Sequence, residues 1–287
     1  MPFSIAIIMF GIGLELKFKD FRRVFYYPKS IITGLGSQMI LLPLIAFCLV
    51  YFWPMEPIYK IGVMLLAACP GGTASNLVTK MLRGRVALSV SLTAFNSFFI
   101  LFTIPLIIEL SYNIFGTESR SVELGFWRTM KEVMLSVVVP VLAGIIIGNL
   151  LSERQREKMH KPLQYILPGL LLIAVVTVIF IDESSQSIHY SDYIPLYVPL
   201  ILLNVITMFA GFFTARKLRL NHESAYTIAI EMGLQNSVLA LYIGNQLLED
   251  KDLSLIAILY GSFSLISTFG IAYIFKRYFN SSKEEKQ

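Results

Sequence analysis

Nine apolar runs of roughly bilayer length leave this chain few folds to choose from. A helix needs about 20 mostly apolar residues to cross the hydrocarbon core. Such runs lie at 2–16, 31–53, 57–82, 86–110, 127–151, 162–182, 193–215, 223–248 and 253–275, and the third and eighth are interrupted. Helices satisfy their own backbone groups in lipid, where an open strand cannot. The pattern therefore predicts an all-α polytopic membrane protein with nine transmembrane helices. Composition agrees: 55% of the 287 residues are hydrophobic and 15% are charged, against about 25% charged in a soluble domain. A disordered tail, a fibre, a nucleic-acid binder and a secreted disulfide scaffold are excluded. Cys48 and Cys69 both lie in apolar runs, and such cysteines are expected to pack as small hydrophobes rather than bridge. No basic segment precedes Pro2–Leu16, so it reads as a retained helix rather than a signal peptide.

Charge placement orients the bundle. Nine spans put 19 of the 24 basic residues on one side, in the loops holding Lys17–Lys29, Lys80–Arg85, Arg154–Lys161, Arg216–Arg219 and Lys276–Lys286. Cytoplasmic loops are the Lys/Arg-rich ones. The N-terminus is thus expected outside and the C-terminus in the cytoplasm, with the inner cell membrane as the site. The formal net charge of +5 then marks a membrane face and does not signal an anionic macromolecular partner.

Two spans are broken. The third reads IYKIGVMLLAACPGGTASNLVTKMLRG. Pro70 removes a backbone donor and crowds the preceding turn, and Gly71 and Gly72 favour non-helical dihedrals. Unwound backbone at membrane depth is tolerated where it lines a polar cavity. Thr73, Ser75 and Asn76 follow at once; they are expected to cap a second half-helix and to offer side-chain oxygens. The eighth span reads AYTIAIEMGLQNSVLALYIG, with Glu231 in its apolar middle and Gln235 and Asn236 close behind. A carboxylate at mid-bilayer costs roughly 3 kcal/mol or more, which makes it a functional-site hypothesis. No Lys or Arg lies in the middle of any span, so its partner is expected to be a proton or a bound metal ion. Ser89 and Thr93 share a face of span four, and Gln38 lies in span two ahead of Pro43. A proton needs only the carboxylate, whereas a hard cation wants several oxygens. The surrounding hydroxyls and amides therefore favour Na⁺.

The broken spans are five apart, so one copy is inverted relative to the other, and spans 1–4 would match spans 6–9. Discontinuous helices at matching places of inverted halves mark a transporter's binding site near the midplane. Half-helix N-termini would face an anion and unwound carbonyls the cation.

Cys69–Phe95, CPGGTASNLVTKMLRGRVALSVSLTAF, resembles the signature of the bile acid:sodium symporter family, as does Ile228–Gly244, IAIEMGLQNSVLALYIG. MFGIGLELKFKDF at the start and GLGSQMILLPLIAF around Gln38 resemble it too. The resemblance implies a panel domain (1–16 and 127–182), a core domain (31–110 and 193–275) in which the broken helices cross, and a cytoplasmic tail at 276–287. It implies two Na⁺ sites. The first would use Ser75, Asn76, Ser89, Thr93 and Glu231. The second would use Gln38, Glu231, Gln235 and the carbonyls of Met232 and Leu234. Substrate would lie near Thr73, Asn236 and Ser237. Relatives with ten helices have one more at the front, and this chain begins where their second would. The expected function is sodium-coupled symport of an organic anion, bile acid-like or a small carboxylate such as pantoate or a keto acid, by alternating access. The bilayer is the expected surrounding, with no nucleic acid and no obligate protein partner. Proton-coupled transport through Glu231 is the alternative. A membrane enzyme or sensor is remote: His160, His189 and His222 all lie in or beside loops, and no soluble output domain follows.

Overall fold

A computed structural model describes residues 10–11, 13–14, 27–69, 71–116, 131, 134–135, 139–151, 155, 193–248 and 250–278, with the side chains of residues 73, 101, 246, 247 and 278 also outside the description. The described residues form helices and short connections, and none of them is in a strand. In chain order the helices are α1 (Pro28–Phe52), α2 (Pro57–Ala68), α3 (Thr73–Met81), α4 (Val86–Phe115), α5 (Val139–Leu150), α6 (Ile194–Lys217), α7 (His222–Gly233), α8 (Ser237–Tyr242) and α9 (Lys251–Tyr278). Among the described residues α1, α6 and α9 are long and apolar enough to cross a membrane, and α4 is too when taken through its bend. The expected span at 162–182 lies outside the described residues, as does most of the expected panel, so the nine-span count rests on the sequence.

The exterior is apolar as well as the core. Ile32, Ile40, Phe98, Phe102, Leu106 and Ile266 are exposed, while Ser75, Ser89, Asn204, Thr207, Thr227, Glu231 and Thr268 are buried. Lipid solvates the apolar exterior, and the polar side chains turn inward to satisfy one another. These are the apolar helices of a polytopic membrane protein.

Proline shapes two of the long helices. Pro43 has no N–H to close onto Met39, and α1 passes through a π turn at Ser37–Leu41 just before it. Pro105 crowds the carbonyl four residues back, and α4 bends by 59° between Ile100 and Phe102. Neither distortion was foreseen, and α4 also runs five residues beyond the expected end at 110.

Both interrupted spans break as expected. α2 ends at Ala68, Cys69 is extended (φ −79°, ψ 128°), and so is Gly72 just ahead of α3 (φ −110°, ψ −166°). α7 ends at Gly233, Leu234 is extended (φ −113°, ψ 102°), and α8 begins at Ser237. The expected cap on the first break is corrected. Gly72 occupies the N-cap of α3 with no side-chain cap bond; Thr73 opens the helix, and Ser75 Oγ donates to the Gly72 carbonyl at 2.8 Å. At the second break Asn236 is the cap, its Oδ1 accepting from Leu239 N at 3.1 Å.

Three of the basic loops meet at one end of the bundle. Arg85 lies 4.3 Å from the centre of the Tyr27 ring and donates to Ser224 Oγ at 2.9 Å, and Tyr226 OH donates to the Arg83 carbonyl at 2.9 Å. At the other end Lys60 sits 5.6 Å from the Phe115 ring. α3 and α6 finish alike at the basic end: Arg83 (φ 58°) and Arg219 (φ 57°) are left-handed, and Gly84 N and Leu220 N bond back to Thr79 O and Ala215 O at 2.8 and 3.0 Å. On α5, Gly144 and Gly148 bring their backbone against Phe10, Gly13 and Leu14, a close small-residue approach of the kind membrane helices use. Cys69 is buried as expected, but Cys48 is exposed on the surface of α1; both are free thiols.

Candidate functional site

The two breaks face each other. A Cβ placed on Gly71 would lie 2.6 Å from Glu231 Oε2, 3.1 Å from Ser75 Oγ and 3.3 Å from the Leu234 carbonyl. Glycine is required here by close approach rather than by dihedral freedom. At the neighbouring Gly72 a Cβ would meet the Asn236 side chain at 3.7 Å, an ordinary van der Waals contact. α3 packs on α7 and α8 on α2, so each half-helix lies against the other broken span.

Glu231 is the centre and is fully buried. Its Oε1 accepts from Ser89 Oγ on α4, a hydroxyl also 2.7 Å from Asn76 Oδ1 on α3. Its Oε2 and main-chain oxygen take Gln38 Nε2 of α1 at 3.3 and 3.1 Å. The hydroxyls of Ser75 and Thr93 also bear on the carboxylate. Thr93 spends its own hydrogen on the Ser89 carbonyl at 3.1 Å, a common habit of Thr in membrane helices. Oxygens of α3 and α4 and the Gln38 amide of α1 thus converge on the Glu231 carboxylate of α7. Hydroxyl, amide, carbonyl and carboxylate oxygens are the donors a hard cation takes, and no described Lys or Arg neutralises the site.

The structure brings together Gln38, Ser75, Asn76, Ser89, Thr93 and Glu231, six of the residues expected to hold sodium. The Leu234 carbonyl faces them across Gly71. The Met232 carbonyl instead accepts from Thr207 Oγ1 at 3.0 Å and from Gln235 Nε2 at 2.7 Å. Of the expected substrate residues, Asn236 caps α8, and Ser237 Oγ is buried with no hydrogen-bond partner among the described residues. Ser237 faces α9 at Gly261, where a Cβ would lie 3.3 Å from its own Cβ. The Thr73 side chain lies outside the described residues.

A second polar layer supports the break from behind and was not anticipated. Gly233 O accepts from Asn204 Nδ2 and from Tyr260 OH, each at 2.7 Å. Asn204 also reaches Thr268 Oγ1 at 3.0 Å and accepts from Ser267 Oγ at 2.7 Å. Unwinding frees carbonyls that lipid cannot solvate, and α6 and α9 supply donors for them. The signal was present as Asn204 and Thr207, three apart in an otherwise apolar run. Asn96 was also missed, though it lies on the Ser89–Thr93 face; it donates to Gln38 Oε1.

A family model described as Sodium Bile acid symporter family matches residues 2–189. Among curated proteins the chain is 31% identical over 235 residues to "Uncharacterized sodium-dependent transporter YocS" of Bacillus subtilis, covering 81% of this chain and 70% of that protein. It is 30% identical over 247 residues to "Probable sodium/metabolite cotransporter BASS1, chloroplastic" of Oryza sativa, covering 85% of this chain and 57% of that protein. It is 28% identical over 235 residues to the human "Ileal sodium/bile acid cotransporter", covering 82% of this chain and 66% of that one. The chain thus spans little more than half of the rice relative's length.

Proposed function

The chain belongs to the sodium bile acid symporter family, and from that membership we propose that it is a sodium-coupled symporter of an organic anion in the inner cell membrane. The names of its relatives are those of sodium-dependent transporters and not of enzymes. The observation that carries the proposal is the fully buried Glu231 carboxylate, ringed by oxygens from both broken spans and from α4 and by the Gln38 amide of α1.

In this proposal one Na⁺ sits among Ser75, Asn76, Ser89, Thr93 and Glu231. A second sits among Gln38, Glu231, Gln235 and the carbonyls of Met232 and Leu234, displacing the two donors that Met232 O accepts. Two Na⁺ against one carboxylate leave one positive charge, which a monocarboxylate neutralises. The anion lies at the crossing beside Thr73, Asn236 and Ser237, within reach of the N-terminal N–H groups of α3. Ser237 Oγ, buried and unpartnered among the described residues, supports this placement. Panel (1–16 and 127–182) and core (31–110 and 193–275) then rock to expose the loaded site to each side in turn. The cycle carries one net positive charge inward, worth about 2.3 kcal/mol per 100 mV.

Two measurements test this. In thermal stabilisation of the purified protein against a panel of organic anions, the transported class stabilises only when Na⁺ is present. In proteoliposomes loaded against that anion, Glu231→Gln abolishes Na⁺-driven uptake. Uptake that keeps its Na⁺ dependence in Glu231→Gln refutes the site. Uptake driven by a pH gradient without Na⁺ makes Glu231 a proton carrier instead.

A further inference from the structure

A small cavity of about 20 Å³, room for about one water, lies beside Gln38. Three side-chain amides line it, those of Gln38, Asn96 and Gln235. Gln38 and Gln235 belong to the second sodium position proposed above. Asn96 has been given no role. It lies on α4, seven residues after Ser89 and on the same face, and it is buried at 3% exposure.

The senses of its bonds are forced. Glu231 presents a main-chain carbonyl and a carboxylate oxygen to Gln38, and both only accept. The end of the Gln38 amide that meets them is therefore its NH₂, and the end that meets Asn96 is its oxygen, which accepts from Asn96 Nδ2. A cation takes the oxygen. Gln38 becomes a ligand only when its amide turns over, and its NH₂ then needs an acceptor on the side of Asn96. Asn96 has one to offer: its Oδ1 is buried with no hydrogen-bond partner among the described residues. An amide at position 96 can serve both senses, donating in one and accepting in the other.

We propose that Asn96 is a positioning residue for sodium. It holds the Gln38 amide in either sense and acts on the second cation through Gln38 alone. The proposal rests on the sodium site described above. The test is sodium titration of the purified full-length protein at constant ionic strength, read by thermal stabilisation. Asn96→Leu, which can neither donate nor accept, raises the half-saturating Na⁺ concentration about five-fold, the size of one lost hydrogen bond. Asn96→Asp, which keeps a polar atom on Gln38, leaves it at or below the wild-type value. In a Gln38→Leu background Asn96→Leu adds less than about two-fold, because the path through Gln38 is already cut. If Asn96→Leu yields no folded protein, Asn96→Thr, too short to serve both senses, takes its place with the same five-fold expectation.

An unchanged titration in the folded variant overturns the proposal. So does the same five-fold shift in the Gln38→Leu background, or an equal loss in Asn96→Asp. The Glu231→Gln control separates the two levels. If it loses the sodium response while Asn96→Leu keeps the wild-type titration, only the role of Asn96 falls. If the wild type shows no sodium response, or Glu231→Gln keeps it, the sodium site and the role of Asn96 fall together.

Discussion

No described Lys or Arg faces Glu231, and its described neighbours are placed to within the width of a methyl group. Gly71 shows how little slack there is. A Cβ there would come within 2.6 Å of Oε2 and 3.1 Å of Ser75 Oγ, so either the carboxylate or α3 must give way. Gly71→Ala is expected to raise the half-saturating Na⁺ concentration at least ten-fold, roughly 1.4 kcal/mol, in protein that still folds, and a sodium titration checks it. The acid itself was legible in sequence, because one carboxylate in the middle of an apolar run has few structural uses. Gly71 was legible only as a helix breaker. That it is a point of contact between two distant segments required the tertiary structure, since sequence carries no distance between residues 71 and 231.

At the scale of single elements, breaks and endings follow local chemistry closely. Pro70-Gly71-Gly72 stops α2, Gly233 ends α7, and Asn236 starts α8 by accepting from Leu239 N. The caps divide unevenly, because Gly72 takes the position that Thr73, Ser75 and Asn76 were expected to serve. Ser75 turns its hydroxyl back to Gly72 instead, which leaves its oxygen beside the carboxylate. Arg219 ends α6 in the left-handed region, where glycine pays no steric penalty. Its side chain is exposed, so Arg219→Gly is expected to stabilise the protein by about 1 kcal/mol, the low end of the strain it relieves, seen as a higher melting temperature in detergent. A lower melting temperature means that the guanidinium makes a contact worth more than the strain. The π turn at Ser37–Leu41 was not legible, although Pro43 was in plain view. Proline says that a helix is disturbed and not which way the preceding turn re-aims its side chains; here that turn delivers Gln38 to Glu231.

Among the described residues the exterior is apolar like the core, polar side chains are buried beside that core, and the basic loops that can be placed gather at one end. The expected orientation makes that end cytoplasmic. A cysteine introduced as Ser282→Cys, in a background lacking Cys48 and Cys69, is therefore expected to react with a membrane-impermeant maleimide in inverted vesicles and not in right-side-out ones. Labelling in the opposite preparation reverses the topology and the direction of proposed charge movement. The buried polar layer of Asn204, Thr207, Tyr260 and Thr268 belongs to this scale too. It joins α6, α7 and α9 behind the broken span, so the site is held from both sides.

Sequence alone determined the membrane class, the two interruptions and the identity of the central acid. Those depend on local quantities, namely the length of an apolar run, the dihedral limits of proline and glycine, and the cost of placing a charge in hydrocarbon. Tertiary structure decided which oxygens share that acid, that Gly71 lies against Glu231, and that Asn96 stands behind Gln38. These depend on where helices far apart in sequence come to lie against each other. Close packing sets that through many weak contacts at once, and no single residue records it.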